Sequence, residues 1–320
     1  MPVTQINVAM PKITIATPAY GEIFYAPYVQ SLYRLVRACE RQKWNTTFAT
    51  ISYADIVESR NFLLTHWFDK TDATHLLFID ADMGFEPQLV LDMVGLDKPV
   101  VGVVYPKRQI DLERLTKLVG EGESPPRAIN RAHDFILRRN ARSGAVNAKG
   151  FVEVDGIGAG VLLIRRDCVD TMLKKMPELS DKGAKKSSPL AKNLDRLIRA
   201  FEPMFVDSGR LSEDFAFCHR WRQCGGEIWA NITHEITHIG LHRFKGRYSN
   251  ARTGPRVSVR ASPLVVTGEL PALDKAASNQ AAPPSKAASA GRNGKGVPAS
   301  AVAVARPPQA AETAGKPKRK

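Results

Sequence analysis

The chain has 320 residues, 43% of them hydrophobic, enough to bury one large core or two small ones. No charged-then-apolar leader opens it, no apolar run nears the ~18 residues of a membrane helix, and four cysteines without a C-x-x-C pair are too few for a disulfide scaffold. A reduced, cytoplasmic protein is therefore expected, with its net charge of +14 unevenly spread: residues 251–320 hold 12 Lys or Arg against 3 Asp or Glu, the first 250 hold 34 against 29.

Strands and helices alternate from the start. Lys12-Ile13-Thr14-Ile15-Ala16-Thr17 predicts a strand stopped by Pro18, and Tyr28, Leu32, Leu35, Val36 and Cys39 then recur at helical spacing. Residues 47–51 predict a second strand and 55–68 a helix. The run Leu76-Leu77-Phe78-Ile79 reads as a buried parallel strand and closes on Asp80-Ala81-Asp82. A helix over 87–95, opened by Pro87, and a strand over 99–104 follow. This order predicts an α/β fold, a mostly parallel central sheet with helices on both faces. The G-x-G-x-x-G fingerprint of dinucleotide dehydrogenases is absent after the first strand, where Thr17-Pro18-Ala19-Tyr20 stands.

Further along, Gly156, Gly158 and Gly160 precede an apolar strand over 161–164. Three glycines so close suit a backbone approach to a ligand, a turn with positive φ, or a bulge entering the strand. The basic, turn-rich segments 107–149 and 174–200 read as lids, acceptor-recognition regions or disordered insertions. An Ile/Thr-rich strand over 232–238 would set His234 and His238 on one face. Beyond about 270 the Ala-, Pro-, Gly- and Ser-rich chain cannot bury enough apolar surface to order itself. A folded domain over 1–250 and a mostly disordered basic tail over 251–320 are expected. Such a tail suits peripheral contact with an anionic membrane, and simple solvation suits it as well. It lacks interleaved aromatics, so no specific nucleic acid partner is expected.

Candidate chemistry gathers at the acid-terminated strand. Ligands of open α/β sheets bind outside the carboxyl ends of the strands. Two carboxylates one residue apart are costly there unless a cation sits between them. A hard divalent ion that also grips a phosphate meets that need; an acidic turn without chemistry is the plain alternative. Arg60 shares a helix face with Ile56, Leu63, Leu64 and Trp67, and is expected to emerge at the rim and meet an anion or water. Asp214 leads an apolar stripe of Phe217, Cys218 and Trp221, which predicts a raised pKa, while its place in a helix's first turn also suits the macrodipole. Lys107 and Arg108, just past a strand end, suit a phosphate, an acceptor or a solvated face. Cys218, Cys224, His234 and His238 give C-x5-C-x9-H-x3-H, whose cysteine spacing is wrong for structural zinc.

Taken in order, the D-x-D pair (Asp80, Asp82), the glycine loop from Asp155 to Gly160, the x-E-D helix start (Ser212-Glu213-Asp214) and the late His238-Ile239-Gly240 resemble glycosyltransferases of GT-A fold, most closely the bacterial family 2 type. Ser59-Arg60-Asn61 is similar to that family's A-R-N element, and the likeness covers roughly residues 12–246. The resemblance implies that Asp82 ligates a Mn2+ or Mg2+ ion, with His238 completing the site and Asp80 facing the ribose or a metal water. It implies a nucleotide pocket of Thr17, Pro18, Ala19, Tyr20, Arg60, Asp80 and Ala81, with Gly158 and Gly160 near the sugars, Glu213 near the acceptor and Asp214 as base. The implied function is a hexosyltransferase-like activity in polysaccharide biosynthesis. A sugar passes from a UDP- or GDP-sugar to a saccharide or glycolipid hydroxyl; the x-E-D aspartate implies inversion, although retaining enzymes share this fold. A non-catalytic nucleotide- or glycan-binding protein of the same fold is the alternative.

Overall fold

The structure, a computed structural model, describes residues 10–139 and 144–241. The tail expected over 251–320, and the domain boundary at 250, lie outside the described residues.

The first half runs β1 (Lys12–Pro18), α1 (Ala26–Arg41), β2 (Asn45–Ile51), α2 (Ile56–Lys70), β3 (His75–Ile79), β4 (Met83–Gly84), α3 (Gln88–Gly95) and β5 (Val100–Val103). Asp55 starts α2 by accepting the Val57 and Glu58 amides, the usual work of an N-cap carboxylate. Next come β6 (Pro106–Ile110), α4 (Leu112–Gly120), α5 (Pro125–Ala132), β7 (His133–Phe135), β8 (Leu137–Arg138), β9 (Phe151–Val154), β10 (Gly156–Ile157) and β11 (Val161–Arg165). The remainder holds α6 (Arg166–Lys175), β12 (Ser180–Asp181), α7 (Ala184–Ser187), β13 (Leu197–Ile198), β14 (Met204–Val206), β15 (Gly209–Leu211), α8 (Glu213–Gln223), β16 (Ile228–Asn231) and β17 (Thr237–His238).

Seven strands form one sheet in the order β2-β1-β3-β11-β5-β16-β9. The pairs β1–β2, β1–β3 and β5–β16 are parallel, whereas β11 is antiparallel to both its neighbours and β9 is antiparallel to β16. All strands but β11 and β9 run one way, so the sheet is mostly parallel in strand direction, as the alternation predicts. Side chains alternate between its faces. Leu76, Phe78, Leu162 and Ile164 meet α2, α6 and α8 on one face; Leu77, Ile79, Val161 and Leu163 meet α1 and α3 on the other.

Pro18 ends β1 as expected, itself pairing with Ile51 as the last rung, where a missing N–H costs the ladder little. The strand after the glycines runs against its neighbours, a direction that an all-apolar run cannot reveal. That reversal has a consequence for the site. Val161 pairs with Ile79, so the start of β11 lies beside the end of β3, and the Asp80 amide donates to the Gly160 carbonyl at 2.9 Å.

Segment 174–200, read as a lid, an acceptor-recognition region or a disordered insertion, is ordered and tied to α2. Arg199 bridges Glu58, Asp181 and Glu202, Ser188 donates to Glu58, and the Ile198 amide donates to the Thr65 hydroxyl. Of residues 107–149, those described form β6, α4, α5, β7 and β8, with α4 packed on α5.

Candidate active site

Three charged side chains meet where β3 ends. Arg60, on the α2 face that carries Leu63, Leu64 and Trp67, is only 3% exposed at its side chain and does not reach the rim. Its Nη2 lies 3.2 Å from each Asp80 carboxylate oxygen, its Nη1 donates to the Ala159 carbonyl at 3.3 Å, and its Nε faces Asp214 Oδ1 at 3.7 Å. The anion it meets is the protein's own pair of acids, a correction to the exposed-head expectation. A buried arginine requires such partners.

Burial pushes both acids up, against the guanidinium that pulls them down. Asp214 reaches about 6, and Glu213 beside it adds to the rise. Arg60 Nε, Asp80 Oδ1 and Asp214 Oδ1 are buried without a hydrogen-bond partner among the described residues. These groups face one another as ion pairs, at 3.2 Å between Arg60 and Asp80 and 3.7 Å between Arg60 and Asp214, without the alignment of a hydrogen bond.

Asp82 faces a different set of groups. The short β4–β17 ladder pairs Met83 with His238, and the Ile239 amide donates to the Asp82 carbonyl at 3.0 Å, which brings the late histidine against the D-x-D turn. His238 Nδ1 lies 2.7 Å from the Pro106 carbonyl, and a carbonyl only accepts, so Nδ1 carries the hydrogen. Nε2 then presents its other side to Asp82 Oδ2 at 3.5 Å. A histidine that donates one ring N–H to a backbone carbonyl and leaves the other nitrogen open is how metal-binding histidines are held. The donor set fits a divalent ion: a hard carboxylate, an oriented imidazole, and remaining positions for phosphate oxygens or water. Among the described residues no group of three or more His, Cys, Asp or Glu that could hold a metal occurs, so these two would need donors from the ligand. Asp80, which the resemblance sets at the ribose or a metal water, has its carboxylate against Arg60.

The other expected site residues divide sharply. Thr17 is fully buried with its hydroxyl 2.7 Å from that of Tyr28, and Ala19 is buried, whereas Tyr20 stands exposed on a short 3-10 turn. The Ala81 carbonyl accepts the Tyr25 amide. Gly158 and Gly160 are buried, and neither has positive φ. A Cβ at Gly158 would collide with the Tyr105 hydroxyl, and one at Gly160 would collide with Met83 and Tyr105. These glycines make room for side chains as well as for β11. Tyr105, absent from the sequence expectations, holds the loop: its hydroxyl accepts the Gly160 amide at 3.1 Å, and its ring meets His238 edge-on at 5.3 Å. A polar aromatic directly after an apolar strand is the signal that could have found it.

His234 and His238 do not share a strand face. Asn231 Oδ1 accepts the Thr233 and His234 amides, an Asx turn that ends β16, and only Thr237–His238 is extended. His234 turns to Asp92 at 3.2 Å. Cys218 and Cys224 are free and buried. Beside Pro106 opens a cavity of about 720 Å³, lined among others by Asn130, His133, Phe135, Arg139 and Glu235.

No protein-family model and no curated protein matches the chain. Solved structures do. GalNAc-T7 with UDP, GalNAc and Mn2+ aligns with TM-score 0.39 and 8% identity over 79% of this chain and 47% of its own. Drosophila beta-1,4-galactosyltransferase 7 with manganese, UDP-Gal and xylobiose gives 0.34 and 11% over 76% and 80%. The inositol-1-phosphate CTP transferase from T. maritima gives 0.35 and 8% over 72% and 89%. Likeness at this level leaves the chemistry to the residues themselves.

Proposed function

We propose that this chain is a metal-dependent glycosyltransferase of GT-A type, transferring a sugar from a nucleoside-diphosphate donor to an acceptor hydroxyl. The observation that carries the reading is the placement of two unlike carboxylates, two residues apart on one strand end. Asp82 faces the fixed imidazole of His238, and Asp80 is joined through Arg60 to Asp214, an acid only 14% exposed at its side chain and raised to about 6. Pairs of acids in contrasting environments are how proteins divide roles.

Asp82 and His238 would hold Mn2+ or Mg2+, which when bound supplies positive charge for the departing diphosphate. Asp214 accepts the acceptor's proton as its hydroxyl oxygen attacks the anomeric carbon, and the bond to the diphosphate oxygen breaks on the opposite face with inversion. A base near 6 is ionised at neutral pH and still basic enough to work. Arg60 keeps that carboxylate charged and aimed while Asp80 balances it. Tyr20 is the exposed aromatic at the donor end, and the cavity beside Pro106 receives the saccharide or glycolipid acceptor. A cytoplasmic location, with the basic tail at an anionic membrane, goes with the four free, buried cysteines.

One observation favours a non-catalytic nucleotide- or glycan-binding protein: Asp82 already pairs with Arg108 at 3.0 Å. Incubation with UDP- and GDP-sugars and Mn2+ separates the two readings. Slow nucleoside diphosphate release to water, lost in Asp82→Asn, supports transfer; nucleotide binding without release from any donor supports the binding protein.

A further inference from the structure

Asp82 meets two groups through one atom. Arg108 Nη1 donates to Asp82 Oδ2 at 3.0 Å, and His238 Nε2 faces that same oxygen at 3.5 Å. The oxygen placed to share an ion with His238 is the one the guanidinium covers. Arg108 is 57% exposed at its side chain, against 17% for Asp82, so its head leaves the contact at little cost in hydration. Its backbone is free of ladder constraint: β6 pairs with β7 at Pro106 and Ile110, and the register breaks between them. Its stem is confined, because a Cβ on Gly240 would lie 3.0 Å from both Cβ and Cδ of Arg108. The arm is thus pinned at its base beside the site and loose at its head.

We propose that Arg108 is an exchangeable counter-cation of the metal site: it covers Asp82 while no metal is bound, yields that oxygen to a divalent ion, and turns its guanidinium to the donor's diphosphate. This rests on reading Asp82 and His238 as metal ligands. A guanidinium and a divalent ion repel each other on one carboxylate oxygen, so binding of the ion drives the arginine off. The freed fork of N–H donors matches phosphate oxygens, and the pinned stem keeps it within the site. Metal alone must displace the arginine, whereas metal with nucleotide gives it a new partner. The two ligands therefore strengthen each other, and reciprocally.

Calorimetry on the full chain tests this with Mn2+ alone, and with UDP and GDP at saturating Mn2+, comparing wild type with Arg108→Gln. Mn2+ alone should bind Arg108→Gln roughly three- to tenfold more tightly, between the worth of a surface ion pair and a charge-assisted hydrogen bond. With Mn2+ present the same variant should bind the nucleoside diphosphate roughly tenfold more weakly. Asp82→Asn in the Arg108→Gln background should remove the Mn2+ heat, which assigns it to this site. Equal or weaker Mn2+ binding by Arg108→Gln overturns the exchange while leaving the metal site standing. Absence of Mn2+ binding by both proteins, with and without nucleotide, overturns the metal reading and the exchange with it.

Discussion

Replacing Arg60 by methionine keeps an unbranched stem of similar reach and removes the guanidinium between Asp80 and Asp214. At pH 8 the variant must bury two carboxylates whose partner is gone, and breaking a buried pair in this way costs about 3–5 kcal/mol. The pH dependence follows from the direction of the shifts. Burial raises both acids in the folded protein and Arg60 is the main opposing influence, so without it both rise further. An acid whose folded pKa lies above its unfolded value contributes stability fully present below the unfolded value and lost as pH climbs through the folded one. Below about 6 the Asp214 carboxyl is protonated in the folded state of wild type and variant alike, so the deficit of Arg60→Met opens as pH climbs past about 6, where only the wild-type carboxyl ionises. At pH 5, below the Asp214 value, the deficit is mainly the lost hydrogen bonds, about 1–2 kcal/mol. Urea unfolding followed by tryptophan fluorescence at pH 5 and pH 8 should show a deficit larger at pH 8 by about 2 kcal/mol. Arg60→Lys, which restores the charge, should recover most of that difference. Equal deficits at the two pH values would refute the reasoning, since the loss would then be one of packing.

Asp214→Asn should slow sugar transfer by ~10²–10⁴-fold with donor affinity nearly unchanged, as expected for loss of a general base. Wild-type activity should rise with pH through about 6, where the Asp214 carboxyl ionises, and the variant should lack that limb; loss of donor binding instead would place Asp214 in the donor pocket. Gly158→Ala should cost about 1–3 kcal/mol, because the new methyl meets Tyr105 and, at 2.9 Å, Ile136. Gly120→Ala, with nothing within 4 Å of its Cβ, should change the urea midpoint little.

Much of this arrangement was legible in the chain because local signals and packing agree. Leu76 to Ile79 is fully apolar and becomes the buried strand that delivers Asp80 and Asp82. Leu63, Leu64 and Trp67 of the predicted helix stripe are buried as its period implies, while Ile56 at the helix start is exposed, and the stripe exposed Arg60 as a charge on the wrong face. Its partner Asp214, 154 positions later, was not readable, since only the antiparallel insertion of β11 and the docking of α8 bring them together. Direction is invisible in an apolar run, so the reversal of β11 was missed, and with it the reason why Gly160 lies against Asp80. Asn61 gave no hint of its work either: it accepts the Phe201 amide at 2.9 Å and holds a segment that read as loose. The separation of His234 from His238 was legible in principle, because Asn231 is a turn former at the end of a short strand.

The central claim is that Asp82 and His238 hold the metal that grips the donor's diphosphate. Diffraction from crystals soaked with Mn2+ and UDP, recorded at the manganese edge, tests it most directly. One anomalous peak is expected within bonding distance of Asp82 Oδ2 and His238 Nε2, with diphosphate oxygens on its open side and Arg108 moved off the carboxylate. Nucleotide bound with no anomalous peak, and Arg108 still on Asp82, would contradict it.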